Sequence, residues 1–193
     1  MATDDPIAIF SALFEQARQE NVFEPDAMVL STADADGRPS GRYVLLKTVN
    51  ARGFVFFTNL QSRKTRALTA NPLAALCFYW PPIHKQIRVE GRVEPVQDSE
   101  ADEYFATRPR EFQIGAWAST QSATLASRDA LDARVTAVRA RFEGQPVPRP
   151  PFWSGFRVVP SAIEFWTRDP ARLHERVLYV RAADGWTRSL LNP

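Results

Sequence analysis

Along the first sixty positions, the apolar residues are first spaced as in a helix and then grouped in short continuous runs. Asp5 and Pro6 form a typical helix start, and apolar residues then recur every three or four positions as far as Ala17, which predicts a helix. Short apolar runs follow at 27–33, 42–49 and 53–59, separated by segments rich in turn-forming residues. Three short strands joined in this way predict an antiparallel meander.

Helical patterns recur three more times. Ser62 is placed to cap a short helix that ends near Asn71, and a second helix is predicted from Asp98 or Ser99 to just before Pro109. Residues 127–142 carry an apolar stripe at helical spacing and predict a third. Residues 113–122 have little periodicity and are predicted as a loop.

The remaining apolar runs predict strands at 73–80, 85–96, 156–159, 162–167, 177–181 and 186–190. Six to eight strands with mostly short connections favour a mainly β fold with flanking helices, in the form of a closed or nearly closed antiparallel barrel. Because no linker, repeat or low-complexity segment interrupts the chain, residues 1–193 are predicted to form a single domain.

Composition narrows the class of protein. The 193 residues are 45% hydrophobic and 24% charged, and no apolar run is long enough to cross a membrane. The acidic N-terminal residues do not resemble a secretory signal, and Cys77 is the only cysteine, so a cytoplasmic location and a buried, inert thiol are expected. The net charge of +2 is too small to predict nucleic-acid binding.

Basic residues are concentrated in the predicted strands. Nine Lys or Arg lie between Arg42 and Arg92 against a single acid, Glu90, which favours a pocket for small anions over a solvated basic face. Ser62, Arg63 and Lys64 would meet at a helix N-terminus, where free N–H groups favour phosphate. A capped surface helix is the alternative there, and for 42–47 the alternative is a charged edge strand.

Two further groups could bind an anionic ligand. Tyr104 and Arg108 are four residues apart and would share a helix face if the helix reaches Arg108, although that arginine could equally stabilise a helix C-terminus. Arg172, His174 and Arg176 would lie on one side of an extended segment and could bind a planar anion, with the histidine suited to moving a proton. A purely structural histidine is the alternative.

Several of these blocks resemble, in order along the chain, the pyridoxine/pyridoxamine 5′-phosphate oxidase family. The matching blocks are 42–47, 57–59, 62–64, 108–117, 121–122, 152–157, 164–166 and 172–176. The resemblance implies an FMN-binding split β-barrel with a Greek-key-like antiparallel sheet, assembled as a homodimer with two active sites at the subunit interface. No metal is implied.

The resemblance also implies roles for individual residues. Lys47, Tyr104, Arg108, Arg172 and His174 would contact the substrate, the first three at its phosphate, and Arg172 and His174 would be catalytic. The residues implied in FMN binding are Arg42, Tyr43, Val44, Leu45, Leu46, Lys47, Phe57, Thr58, Arg63, Lys64, Gln86, Gln121, Ser122, Trp166 and Arg176. A hydride would pass from substrate C4′ to flavin N5, and O2 would then reoxidise the flavin.

The chain departs from the family pattern in places that bear on the substrate. Phe112 stands where the family usually has a serine, Phe57 where it has a tyrosine and Leu190 where it has an arginine, and an upstream Arg-x-x-Tyr element is absent from the sequence. Two alternatives therefore stay open. One is a related FMN oxidase acting on another ring, as in phenazine biosynthesis, and the other is a non-catalytic FMN or pyridoxal-phosphate binding protein.

Overall fold

Residues 5–193 are described by a computed structural model, and this part of the chain forms nine strands, five α-helices and one short 3₁₀ turn. The helices are α1 (Pro6–Gln19), α2 (Arg63–Ala70), α3 (Asp98–Thr107), α4 (Arg110–Ala118) and α5 (Arg128–Arg141). The strands are β1 (Ala27–Ala33), β2 (Pro39–Leu45), β3 (Thr48–Asn50), β4 (Gly53–Asn59), β5 (Leu73–Trp80), β6 (Lys85–Pro95), β7 (Trp153–Thr167), β8 (Glu175–Ala182) and β9 (Gly185–Leu190).

The sheet curls into a barrel, as the sequence predicts. Its strand order is β2-β1-β5-β6-β7-β4-β3, with β8 and β9 continuing from β7, and every pairing is antiparallel. The two ends of that order, β2 and β3, are joined by only Leu46 and Lys47. Two residues span a few ångströms, so the two edges must meet. The Lys47 N–H donates to the carbonyl of Val55 in β4 at 2.8 Å and so ties this corner to the β3–β4 pair.

Three strand predictions are corrected. The run 42–49 is not one strand, because the chain turns a corner at Leu46 and Lys47 between β2 and β3. The meander is therefore wrong: β2 pairs with β1 and β3 with β4, and these two pairs lie at opposite ends of the sheet order. The strand count is nine rather than six to eight.

The two strands predicted at 156–159 and 162–167 are a single strand, β7. Opposite it, β6 shifts register between Glu90 and Gly91, which leaves Ser161 as the extra residue of a β-bulge. A Cβ at Gly91 would lie 2.1 Å from the Val159 carbonyl oxygen, so only glycine fits there. Pro160 and Ser161 break the apolar alternation at this bulge and conceal the continuity of the strand.

The predicted loop at 113–122 is also wrong, since α4 covers it as far as Ala118. Ile114 and Ala118 are buried, four residues apart on one face of this short helix. Cys77, predicted to be buried, is half-buried, and burial raises the pKa of its thiol. Within residues 5–193, no helix is both long and apolar enough to cross a membrane.

Aromatic side chains fill the barrel and join it to the helices. Phe10 of α1 lies edge-on to Phe54 and Phe78, with ring centroids 4.8 and 5.0 Å away, and Trp80 closes the same cluster. A second cluster packs α3, α4 and α5 against the start of β7, and its buried members are Phe105, Ile114, Phe142, Val147 and Trp153. This second cluster fixes the helices that form one wall of the candidate site.

Candidate functional site

A cavity of about 560 Å³ lies between the barrel and the helices α3 and α4. Strands β2 and β4 supply one wall, and the two helices with the segment after them supply the other. Its lining residues are Tyr43, Val44, Leu45, Lys47, Phe57, Thr58, Asn59, Lys64, Tyr104, Arg108, Glu111, Phe112, Gly115, Ala116, Ser119, Gln121 and Trp153. Ten of these residues were expected from the sequence to contact a cofactor or a substrate phosphate.

Lys64 is the most perturbed group in this cavity. Its Nζ donates to Thr58 Oγ1 and Gln121 Oε1, both at 2.9 Å, and to Ser62 Oγ at 3.3 Å. Among residues 5–193, no carboxylate lies within ion-pair distance of this ammonium. Burial, and secondarily the charge of Arg42, lower the pKa of Lys64 to about 8. A bound anion would relieve both effects.

Arg42 and Arg63 lie beside a neighbouring cavity of about 340 Å³, not in the larger one. Arg42 Nη1 donates to the Leu30 carbonyl and to Thr32 Oγ1, both at 2.9 Å, which fixes its guanidinium. Burial, and then the like charge of Arg63, lower the pKa of Arg42. Together with Lys64, these arginines place three cations around the N-terminus of α2, where Ser62 is the N-cap and where the N–H groups of a first helical turn favour an anion.

Arg108 is a second cation on the cavity wall. Its guanidinium lies over the Trp153 ring, 4.8 Å from the centroid, and its buried Nη1 has no hydrogen-bond partner among residues 5–193. Burial lowers the pKa of Arg108. The helix predicted to carry Tyr104 and Arg108 on one face ends at Thr107, so Arg108 is its C-cap; both side chains nevertheless line the cavity.

Stacked rings set the position of Tyr104. Phe57 lies almost parallel to Tyr104 and to Trp153, with centroids 4.2 and 5.4 Å away. Gly155, opposite Phe57 in the β4–β7 ladder, makes room for this ring, because a Cβ there would lie 2.7 Å from Phe57 Cδ1. Phe57 is therefore part of the packing that orients the cavity wall. Phe112, at 60% exposure, lies on the same wall.

Three other residues that were expected to contact a ligand are paired, buried in the core or outside the cavity. Lys47 lines the cavity, but its Nζ is 3.0 Å from Asp26 Oδ2. The Leu46 side chain is buried in the barrel core, so only its backbone could meet a ligand. Ser122 is exposed, has a left-handed φ of 71° and does not line the cavity.

Gln86, Trp166 and Arg176 form a second group on the sheet. Gln86 lies opposite Trp166 in the β6–β7 ladder, and Trp166 lies opposite Arg176 in the β7–β8 ladder, so the three make a row across neighbouring strands. Arg176 Nε donates to the buried Glu164 carboxylate at 2.7 Å, and this bond raises the pKa of Arg176. Arg88 donates to the other oxygen of Glu164, at 3.2 Å.

The loop between β7 and β8 carries Arg172 and His174. The prediction that these two and Arg176 share one side of an extended segment is wrong, because Arg172 has a left-handed φ of 67° and only Arg176 lies in a strand. His174 Nδ1 accepts the Asp169 N–H at 3.1 Å, and its ring centroid is 4.5 Å from that of Trp166. The loop therefore places His174 against the Gln86–Trp166–Arg176 row.

Apart from Leu46 and Ser122, the expected site residues thus fall into two groups. The first, called here the cavity group, comprises the cavity-lining residues with Arg42 and Arg63 beside them. The second, called here the sheet group, comprises Gln86, Trp166, Arg172, His174 and Arg176, none of which lines the cavity in this chain. Residues that the sequence did not single out are Asp26, which pairs with Lys47, and Asp169, whose side chain also accepts the Ala171 N–H at 2.7 Å. The Asp169–Pro170 pair is a turn signal that could have identified that loop.

The curled antiparallel sheet with its flanking helices defines a split β-barrel protein whose cavity suits an anion. Residues 14–142 match the family described as "Pyridoxamine 5′-phosphate oxidase", and residues 153–193 match "Pyridoxine 5′-phosphate oxidase C-terminal dimerisation region". The chain belongs to this family of enzymes, as the sequence resemblance indicated.

Individual relatives are similar to this chain over its full length. The chain is 57% identical to the pyridoxine/pyridoxamine 5′-phosphate oxidase of Myxococcus xanthus strain DK1622, covering all of this chain and 94% of that protein. It is 54% identical to the enzyme of the same name from Anaeromyxobacter dehalogenans, covering 100% and 97%. Among solved structures, PhzG from Burkholderia lata in complex with tetrahydrophenazine-1-carboxylic acid has 34% identity and a TM-score of 0.94, over 100% of this chain and 94% of that one.

Proposed function

We propose that this protein is an FMN-dependent oxidase that converts pyridoxamine or pyridoxine 5′-phosphate to pyridoxal 5′-phosphate, with O2 as the electron acceptor. The observation that carries the proposal is the pair of cations Lys64 and Arg108, which among residues 5–193 have no acidic partner and share one cavity in a chain of this oxidase family. Two phosphorylated molecules, a cofactor and a substrate, would each engage one of them.

The residues around α2 fit the phosphate of FMN. Lys64, Arg42 and Arg63 repel one another, and a dianion beside them would remove that repulsion and replace the water lost by Lys64. Thr58 and Gln121 already hold the ammonium, and the strand residues from Tyr43 to Lys47 would lie along the cofactor. When bound, FMN would take up the hydride that leaves substrate C4′ and pass the electrons to O2.

Arg108, Tyr104 and Lys47 would bind the substrate phosphate at the other side of the cavity. Arg108 supplies a buried N–H that has no partner in the described part of the chain, and such a group gains a full hydrogen bond when an anion arrives. Tyr104 is held by its stack on Phe57, so its hydroxyl would be directed without loss of side-chain freedom.

Arg172 and His174 would contact the pyridine ring. Because Nδ1 of His174 already accepts the Asp169 N–H, a neutral imidazole carries its proton on Nε2. His174 would therefore donate a hydrogen bond to the substrate and would not act as its base, so that its main contribution is to orient C4′.

We further propose that the active site forms between two copies of the chain. The region 153–193, which matches the family's dimerisation region, contains four of the five residues of the sheet group. In a homodimer, the sheet group of one protomer would face the cavity group of its partner, and the two groups would complete one site. Residues 1–193 would act as one FMN-binding unit, since the described strands form one sheet. A cytoplasmic location would fit the single cysteine, which has no disulfide partner in the chain.

A second candidate function is oxidation of a different ring, as the structural similarity to PhzG suggests. Phe112 favours this reading, because its exposed ring on the cavity wall stands where the family usually has a phosphate-binding serine. The unpaired Arg108, which a phosphate would satisfy, favours the phosphorylated pyridine.

Anaerobic reduction of the flavin tests the proposal. The protein loaded with FMN is mixed with pyridoxamine 5′-phosphate without O2, and the flavin absorbance should disappear, then return when air is admitted. Flavin that stays oxidised with this substrate but is bleached by a reduced phenazine carboxylate would support the second candidate. A protein that takes up no FMN would contradict both.

A further inference from the structure

Asp26 lies immediately before β1, at the corner where the two edges of the barrel meet. Its backbone is fixed there: the Asp26 carbonyl accepts the Leu46 N–H at 2.8 Å, and the preceding Pro25 carbonyl accepts the Trp80 indole N–H at 3.0 Å. Leu46 and Trp80 are both buried in the core. The position of Asp26 is therefore set by the fold and not by its own side chain.

The Asp26 carboxylate forms an ion pair with Lys47. Its Oδ2 is 3.0 Å from Lys47 Nζ, and the two side chains are only 27% and 24% exposed, so solvent screens this pair less than a surface pair. Under the proposed function, Lys47 is one of three groups that bind the substrate phosphate. A phosphate arriving there would meet a cation that is already neutralised and a negative charge next to it.

The other charged groups of the cavity do not share this arrangement. Lys64 and Arg108 have no carboxylate partner among residues 5–193. Glu111, an acid on the cavity wall, is held by Arg139 at 2.5 Å. Among the described residues, Asp26 is thus the carboxylate that pairs with a cation which a ligand phosphate would need.

We propose that Asp26 is a specificity-determining residue that limits the affinity of this cavity for phosphorylated ligands, substrate and product alike. This role of Asp26 rests on the proposed function, because it requires Lys47 to face the phosphate of the bound pyridine. Asp26 does not touch the reacting atoms; it acts by competing with the phosphate for Lys47. Ligands of the same ring without a phosphate should not be affected by it.

The test measures binding of the product, which needs no turnover. Pyridoxal 5′-phosphate is titrated into the FMN-loaded protein and followed by the change in flavin absorbance. Asp26→Asn should lower its dissociation constant roughly three- to thirty-fold, the effect of removing one nearby negative charge. Pyridoxal without its phosphate should bind equally to both proteins.

The control is Asp132→Asn, which makes the same change in net charge at an exposed pair with Arg128 on α5. It should leave binding unchanged, and Asp26→Ser should reproduce the gain of Asp26→Asn. If the unaltered protein binds the product but neither Asp26 variant binds it more tightly, the role of Asp26 is contradicted and the proposed function stands. If neither the unaltered protein nor the variants bind it, the cavity takes no phosphorylated pyridine and both proposals fall.

Discussion

At the scale of single residues, the turn Ser62–Arg63–Lys64 is the part of the site that sequence reasoning predicts best. A serine cap with two cations on one helix turn is a local pattern, and the structure places all three there. The bonds from Lys64 to Thr58 and Gln121 could not be predicted, because Gln121 is 57 residues away in the sequence and only the folded chain brings it near. The lowered pKa of Lys64 follows from that burial.

The pKa of Lys64 predicts how FMN affinity depends on pH. The charged ammonium binds phosphate, so FMN affinity should be nearly full at pH 7 and should fall as pH rises through the pKa of about 8 that Lys64 has in the free protein. Loss of one proton weakens binding by up to roughly tenfold per pH unit. Quenching of flavin fluorescence between pH 7 and pH 9.5 would measure the FMN affinity at each pH. Lys64→Arg keeps its charge in this range and should remove most of the dependence; a slope identical in both proteins would show that another group titrates.

Arg172 and His174 are predicted to affect catalysis and not cofactor binding. Replacing either with Ala should lower kcat/KM by roughly ten- to a hundred-fold through loss of substrate orientation. The dissociation constant of FMN should change by less than about threefold. Arg168→Ala removes another exposed cation from the same loop and should have little effect on either quantity. Equal losses of turnover and FMN affinity in the two variants would contradict their assignment to the substrate.

At the scale of elements, predictions succeed where a pattern is local and fail where the tertiary fold decides. The bounds of β1, β4 and β5 agree with the apolar runs that predict them. By contrast, α4 is a nine-residue helix with one buried face, and so short a stretch of periodicity is indistinguishable from a loop. The corner at Leu46 and Lys47 was missed because both residues continue an apolar, strand-like run.

The close approach of β4 and β7 gives a prediction for Gly155. Gly155→Ala would push against the Phe57 ring at 2.7 Å and the Phe56 carbonyl at 3.0 Å, and so disturb the stack that holds Tyr104. Overpacking of this kind should lower the free energy of unfolding by about 1–3 kcal/mol. Urea denaturation measures the change. The matched control is Gly115→Ala in α4, where a Cβ meets nothing within 4 Å and helix propensity should slightly increase stability.

At the scale of the whole molecule, the barrel separates the two groups of expected site residues. Strand number and short connections were enough to predict a nearly closed antiparallel barrel, but not its strand order, since that depends on which distant strands pair. No sequence pattern shows that the cavity group and the sheet group lie apart in one chain; the family resemblance alone suggested an interface between subunits. The proposed oxidase activity requires these two groups to meet between two chains.

Mixed dimers test that central claim most directly. Arg108→Ala disables the cavity group and His174→Ala disables the sheet group, so each homodimer should keep no more than roughly a tenth of wild-type turnover. The two variants are given different affinity tags, refolded together, and the heterodimer is isolated by passage over both columns. If each site combines the cavity group of one protomer with the sheet group of its partner, one of the two sites is intact, and activity should return to about half of the wild-type value per dimer. A purified heterodimer no more active than its parents would contradict the account.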